Sequence, residues 1–385
     1  MSKQHTLYVD CYCEGNADLT YDIAAYSPET EPGVFRNFAP PNTLSFSGEV
    51  SELHIFVMQG GYWSLTFERP QRSISGIIPK LPRGPHGWWH DIHGVSAGRR
   101  GKRGAGMKIG VIDESLPVQR EGSPLAHIEN LGAAAWNCSG DRAFQSLGAD
   151  HGSVVCSVLA ARSSTQNAFE GIAPDATVLF CAAGVDDKAA LDPTRLANSI
   201  YVLAEEYDCD IITISAGDSD QDLPEILGAI EDATDLGVMC FAAAGNRGGT
   251  PLCPAAYDDC IAVGAVGKRE IAPPGTWDAR EAKRCFTTTD ELFFWNSSAR
   301  GPAVRYLGAG VSVIYTDPAE GSFAVTGTSF ASPIVAGTAA LILSKDEQFQ
   351  ALKKNRKRVE YALGKLDSMS SNVFPGLSSA GLLRA

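Results

Sequence analysis

Long apolar runs are the clearest absence in this sequence of 385 residues. None approaches the roughly 20 residues that a membrane-spanning helix needs, so no membrane is expected as a partner. Positive charge is scarce too: 32 Lys and Arg stand against 45 Asp and Glu, a formal net charge of −13. Such a surface repels phosphate backbones, and nucleic acid is not an expected partner. The opening residues Met1-Ser2-Lys3-Gln4-His5 have no apolar stretch of the kind that makes a secretory leader. The ten cysteines have no framework spacing, and Cys156, Cys181 and Cys240 lie inside apolar runs. Reduced, buried thiols in a cytoplasmic protein are expected. Cys11-x-Cys13 has no second pair or nearby histidine to complete a metal site, and two residues on one face of a strand account for it.

What is present is a large apolar fraction, 44%, in a chain long enough for one large domain and a smaller one. Residues 1–82 carry short alternating or aromatic-rich segments (Leu7 to Tyr12, Tyr21 to Tyr26, Leu53 to Met58, Tyr62 to Phe67) broken by turn residues. They read as a small β-rich N-terminal domain, with Pro79, Pro82, Gly84, Pro85 and Gly87 marking a linker. Residues 83–385 form the second domain. From Met107 onward the pattern alternates: strand at Met107–Ile112, helix at His151–Ala161, strand at Thr177–Ala182 and helix at Pro193–Tyr207. It continues with a strand at Ile211–Ile214, a helix at Leu223–Leu236, and strands at Val238–Ala243 and Cys260–Ala265. That order predicts an α/β fold, a doubly wound and mainly parallel sheet with its chemistry at the carboxyl ends of the strands.

Four strand and helix ends carry reactive residue types. Asp113 closes the first strand of the second domain, His151 opens a helix, Asn246 follows the strand ending at Ala243, and Ser329 stands between Gly327 and a small-residue helix from Ile334 to Leu343. Each has a plain structural explanation as a cap or turn residue. A serine on a tight turn at the positive end of a helix dipole also has the geometry of a nucleophile.

Taken together the four resemble the subtilisin-like serine peptidases from about Gly87 to the last residue. Gly327-Thr328-Ser329-Phe330-Ala331-Ser332-Pro333 is similar to that family's Gly-Thr-Ser-x-Ala-Ser-Pro motif. Asp113, His151 and Ser329 stand in the family's order, 38 and then 178 residues apart. Gly171-Ile172-Ala173-Pro174, Val263-Gly264-Ala265 and Gly381-Leu382-Leu383 also resemble family segments. The resemblance implies a serine endopeptidase in which Ser329 attacks an amide carbonyl, His151 moves the proton, Asp113 orients the imidazole and Asn246 faces the oxyanion. It further implies a substrate strand laid along Ser215-Ala216-Gly217, with Ala243-Ala244-Gly245 as the facing wall of the first specificity pocket.

Two motifs depart from the family. Asp113-Glu114-Ser115 replaces Asp-Ser/Thr-Gly, and His151-Gly152-Ser153-Val154 replaces His-Gly-Thr-His. Asp220 lies five positions after Ser215, the offset of an acidic pocket residue in the kexin- and furin-like branch, so cleavage after Arg or Lys is one expectation and a solvated acidic loop the other. The run Arg99-Arg100-Gly101-Lys102-Arg103-Gly104 falls inside the catalytic domain by its distance from Asp113, so a processing site is expected near Lys80 to Gly84 instead. The N-terminal domain is then a removable pro-domain, making self-inhibitory contacts, or a retained recognition module that meets a partner. The insertion from Lys268 to about Phe293 reads as a surface loop, and Lys353, Lys354, Arg356, Lys357 and Arg358 as one solvated face of a helix spanning Asp346 to Leu363. No cofactor is implied, and although calcium sites recur in the family, no oxygen-ligand cluster can be assembled from the sequence. A protein or peptide substrate is the expected partner. Hydrolysis leads, with peptide transpeptidation or macrocyclisation, or a non-catalytic binding scaffold, as the other readings.

Overall fold

The structure is a computed structural model. It describes the backbone of residues 10–13, 18–26, 43–47, 50–54 and 62–67, then residues 86–95, 103–113, 123–133, 151–162, 169–185, 188–215, 222–269, 271, 282, 285, 291–317 and 321–385. The first group is five strands: β1 (Asp10–Cys13), β2 (Asp18–Tyr26), β3 (Thr43–Ser47), β4 (Val50–His54) and β5 (Tyr62–Phe67). β1 pairs antiparallel with β4, and β2 is flanked antiparallel by β3 and β5. The side chains of Cys11 and Cys13 lie outside the described residues.

The second group is built on a ten-stranded sheet. Its strands are β6 (Lys108–Asp113), β7 (Glu129–Ala133), β8 (Thr177–Ala182), β11 (Ile211–Ile214), β12 (Met239–Ala243), β13 (Cys260–Lys268), β14 (Leu292–Phe294), β15 (Val304–Ala309), β18 (Ser370–Ser371) and β19 (Gly381–Leu383). Two short hairpins stand apart from it, β9 (Gly184–Val185) with β10 (Lys188–Leu191) and β16 (Val313–Asp317) with β17 (Gly321–Val325). The order across the sheet is β18-β19-β15-β13-β12-β11-β6-β8-β7, parallel except for β18 on β19 and for β14, which pairs antiparallel with β13. From β6 the chain moves outward to β7 and β8, then returns to place β11 on the other side of β6. That reversal opens a crevice at the carboxyl ends of β6 and β11, where Asp113 and Ser215 stand.

Both faces of the sheet are covered, which explains why its strands read as unbroken apolar runs. Ile109, Val111, Phe180, Phe241 and Val263 point into one core, and Ile112, Cys181, Ile212, Ala242 and Ala262 into the other. The first core lies under the helices His151–Ala160 and Thr328–Leu343, the second under Pro193–Tyr201 and Pro224–Asp235. The helix predicted from Pro193 to Tyr207 changes winding at Val202 and continues as one π-turn to Glu206. Leu203 of that turn leans on Gly110, where a Cβ would stand only 2.7 Å from its Cδ1.

Two expectations are corrected. The insertion after Lys268 does not run wholly on the surface: Leu292, Phe293 and Phe294 form a buried strand on β13, and Ala282 and Cys285 are buried as well. Nor does one solvated helix span Asp346 to Leu363. Asp346 and Asn355 each cap a new helix, Glu347–Ala351 and Arg356–Ser368, by accepting backbone N–H groups. Arg358 is 4% exposed, donates two 3.0 Å bonds to Asp210 and lies over the Phe349 ring. Arg356 grips Asp259 at 2.7 and 2.8 Å, and Lys354 meets Asp208 at 2.9 Å. Charge spacing alone does not show which cations will find a carboxylate across the fold.

Candidate active site

Ser329 lies in the first turn of the Thr328–Leu343 helix, whose sixteen residues are all buried. The helix begins earlier than the small-residue run implies, because Gly327, extended at φ 164° and ψ 155°, turns directly into Thr328. Pro333, four residues past Ser329, has no N–H to give the Ser329 carbonyl. The Ser215 hydroxyl supplies that donor from the end of β11, at 2.8 Å. One turn on, the Thr213 and Ser332 hydroxyls share a 3.0 Å bond. The helix carrying the candidate nucleophile is therefore bonded to the strand that lines the crevice.

Asp113 closes β6 fully buried, and both of its oxygens lie against His151 Nδ1, at 2.8 and 3.0 Å. With Nδ1–H donated there, Nε2 is left as the basic nitrogen. His151 is about a quarter exposed, and its ring centroid lies 5.3 Å from that of Phe330, the residue after Ser329. The His151 helix is fixed at its far end by the Gly171-Ile172-Ala173 segment, whose N–H groups donate to the carbonyls of Ala161, Val158 and Leu159. Gly171 comes so close there that a Cβ would sit 2.2 Å from Ala160 N. Below His151, burial and then the Asp113 charge push the Cys156 thiol up, so it stays neutral beside the carboxylate.

Asn246 faces the same turn from the end of β12. Its side-chain oxygen accepts from the Thr328 N–H at 2.9 Å and from the Thr328 hydroxyl at 2.7 Å. With the oxygen committed, the amide N–H₂ is the end presented toward Gly327, 3.6 Å from where a Cβ there would stand. Thr328 Oγ1 also accepts from Gly245 N–H at 3.2 Å, and Gly245 sits at φ +111°, which few other residues adopt. The loop hangs from Val263, whose carbonyl accepts Ala244 N–H at 3.0 Å.

Asp113, His151, Asn246 and Ser329 thus stand around one crevice. Of the anticipated substrate walls, Ser215 donates to the Ser329 carbonyl and Gly245 to the Thr328 hydroxyl, Ala243 closes β12 with Ala244 buried after it, and Ala216, Gly217 and Asp220 lie outside the described residues, as does Glu114. Sequence reasoning missed three contributors: Phe330 against the imidazole, Thr328 on Asn246, and the Ser215 hydroxyl. Only the last had a signal, the proline that leaves the Ser329 carbonyl without a helical donor.

The model of the family described as "Subtilase family" matches residues 104–363. The chain belongs to the subtilase family. It is a subtilisin-like serine endopeptidase by that membership and by its relatives. It is 29% identical to subtilisin DY of Bacillus licheniformis over 251 residues, 64% of this chain and 80% of that protein. With the major intracellular serine protease of Bacillus subtilis (strain 168) it shares 29% over 204 residues, 51% of this chain and 56% of the relative. Among solved structures, the protease domain of PatA superposes with a TM-score of 0.55 at 24% identity, covering 72% of this chain and 92% of that one. The prenylagaramide maturation protease PagA gives 0.52 at 22%, covering 72% and 90%. At these identities the two superpositions show the subtilase fold and no more.

Metal ligands recur among subtilases, but no group of three or more His, Cys, Asp or Glu converges among the described residues of this one. Among the same residues, no helix is long and apolar enough to cross a membrane.

Proposed function

We propose that the protein cuts peptide bonds through an acyl-enzyme on Ser329, with His151 as general base and acid, Asp113 as its orienting carboxylate and Asn246 as an oxyanion donor. The observation that carries this reading is the two-oxygen hold of buried Asp113 on His151 Nδ1, beside the residue that follows Ser329. Nδ1 is thereby kept protonated, so Nε2 can take the serine proton as the hydroxyl attacks and return it to the departing amine. The amide of Asn246 and the Ser329 N–H then meet the charge that develops on the carbonyl oxygen. A dedicated protein or peptide substrate lies along the Ser215 edge of the crevice as an added strand. Residues 1–82 act on that site as a removable inhibitor or a retained recognition module, and the free thiols of Cys156, Cys181, Cys209, Cys240, Cys253 and Cys260 support a cytoplasmic setting.

A fluorophosphonate that labels wild type but not Ser329→Ala tests the nucleophile, and absence of labelling in folded wild type overturns the reading. Asp113→Asn is expected to lower kcat roughly 10⁴-fold, and Asn246→Leu roughly 10²–10³-fold, a range known from subtilisin itself. In the same preparations, loss of the first 82 or so residues from wild type but not from Ser329→Ala, read by intact mass, identifies a pro-domain. A mass that stays whole in both identifies a retained module. Peptide libraries with Arg or Leu before the cut test the role of Asp220, and equal rates remove the basic preference.

A further inference from the structure

We infer that Trp88 is a positioning residue for the reaction: through Ser312 and Thr326 it holds the turn that presents Ser329. The inference rests on the reading of Ser329 as nucleophile.

Trp88 opens the short helix Trp88–Ile92 ahead of the sheet and is 4% exposed. Its indole N–H donates to the Ser312 carbonyl at 3.1 Å, across 224 residues of sequence. Ser312 is buried and sits at φ +53°, a left-handed conformation that serine seldom takes unless its surroundings hold it there. Its own N–H donates to the Thr326 hydroxyl at 3.0 Å. One backbone polar group of this residue is therefore fixed by Trp88 and the other by Thr326.

Thr326 directly precedes Gly327, the residue before the nucleophile helix, and the Gly327 N–H donates to the Gly310 carbonyl at 2.7 Å. Gly310 runs so close that a Cβ would stand 2.8 Å from the Gly327 carbonyl and 2.6 Å from the Ala265 Cβ. Residues 310–312 thus form a template along which 326 and 327 are laid, with the β16–β17 hairpin closing the far side. Trp88 pins the end of that template. Losing its donor removes a bond that keeps Ser312 left-handed, and the displacement passes through Thr326 to Ser329.

The substrate edge is built on β11 and β12, not on this hairpin, so the effect belongs to the chemical step. A misplacement near 1 Å costs roughly 10²-fold in rate, and a smaller shift costs less.

The test uses the full chain and compares Trp88→Phe, which keeps an aromatic body and removes the donor, with Thr326→Val, Thr326→Ser and the Trp88→Phe/Thr326→Val double variant. Steady-state kinetics and the rate of fluorophosphonate labelling are measured in each. Trp88→Phe and Thr326→Val are each expected to lower kcat and labelling about tenfold with KM within about twofold, and Thr326→Ser to retain both. The double variant is expected to be no slower than the worse single one, because the two act through one relay. Unchanged kcat in Trp88→Phe, a loss confined to KM, or losses that multiply in the double variant would overturn the inference. Should Trp88→Phe fail to fold, equal kcat in Thr326→Val and Thr326→Ser overturns it instead. Wild type that never labels would sink the nucleophile assignment, a separate result.

Discussion

At the scale of single residues, the site depends on side chains whose own polar ends are already spoken for. Asn246 can offer its N–H₂ because Thr328 occupies its oxygen twice over. His151 can offer Nε2 because Asp113 holds Nδ1. The Ser329 carbonyl, which Pro333 cannot serve, is served by Ser215. Ser215→Ala therefore leaves a buried carbonyl without that donor, which costs about 1–3 kcal/mol. Expected are a Tm lower by several degrees and a kcat reduced about tenfold, with Ser215→Thr recovering both. Thermal melts and peptide kinetics check this, and a Ser215→Ala variant with unchanged kcat would remove the hydroxyl from the positioning of Ser329. This dependence was partly legible, since a proline four residues after a helical carbonyl always orphans it. That the donor would come from β11 was not, because residues 114 apart are joined only by the fold.

Elements meet through charge as well as through apolar contact. The Arg356–Ser368 helix is tied to the start of β6 by Asp210, which accepts from the Lys108 N–H at 2.9 Å and from Arg358 on the other side. Arg358→Ala strips Oδ1 of a nearly buried carboxylate of its two guanidinium donors while Lys354 remains 3.2 Å away. Breaking a buried pair from one side costs about 3–5 kcal/mol, and with Lys354 in place the lower end is expected. Denaturant titration should show the loss in midpoint without a change in slope, and a loss below about 1 kcal/mol would mean that Lys354 alone suffices. Another tie joins the residues ahead of the sheet to its edge. His93 accepts the Ala309 N–H at 3.1 Å and donates to the Leu383 carbonyl at 2.7 Å, adding a side-chain rung where β15 and β19 part.

For the molecule as a whole, that rung and its neighbour set a limit in acid. Burial, with the His86 charge as the next cause, holds His90 down to about 3, and burial, against the Leu383 carbonyl bond, holds His93 down to about 4. Both ordinary values are 6.5, so between that pH and their folded values the unfolded chain takes up protons that the native state refuses. Their stabilisation is complete above about pH 6.5 and is lost as pH falls toward 4 and then 3. For His93 alone the loss is about 3 kcal/mol. Unfolding titrations from pH 7 to pH 4 should show a shallower decline in His93→Gln than in wild type, and equal slopes would disprove the linkage.

The sequence by itself determined the alternation of strands and helices, because apolar runs bounded by turn residues have one economical burial in a parallel sheet. It also determined which strand and helix ends carry Asp113, His151, Asn246 and Ser329. The change of winding at Val202, the helix break between Ala351 and Arg356, the burial of Leu292–Phe294, and the partners of Arg356 and Arg358 were decided only in three dimensions. Periodicity reports what a segment needs to bury, whereas close approach at Gly110 or a carboxylate opposite Arg358 depends on what another segment brings to the same place.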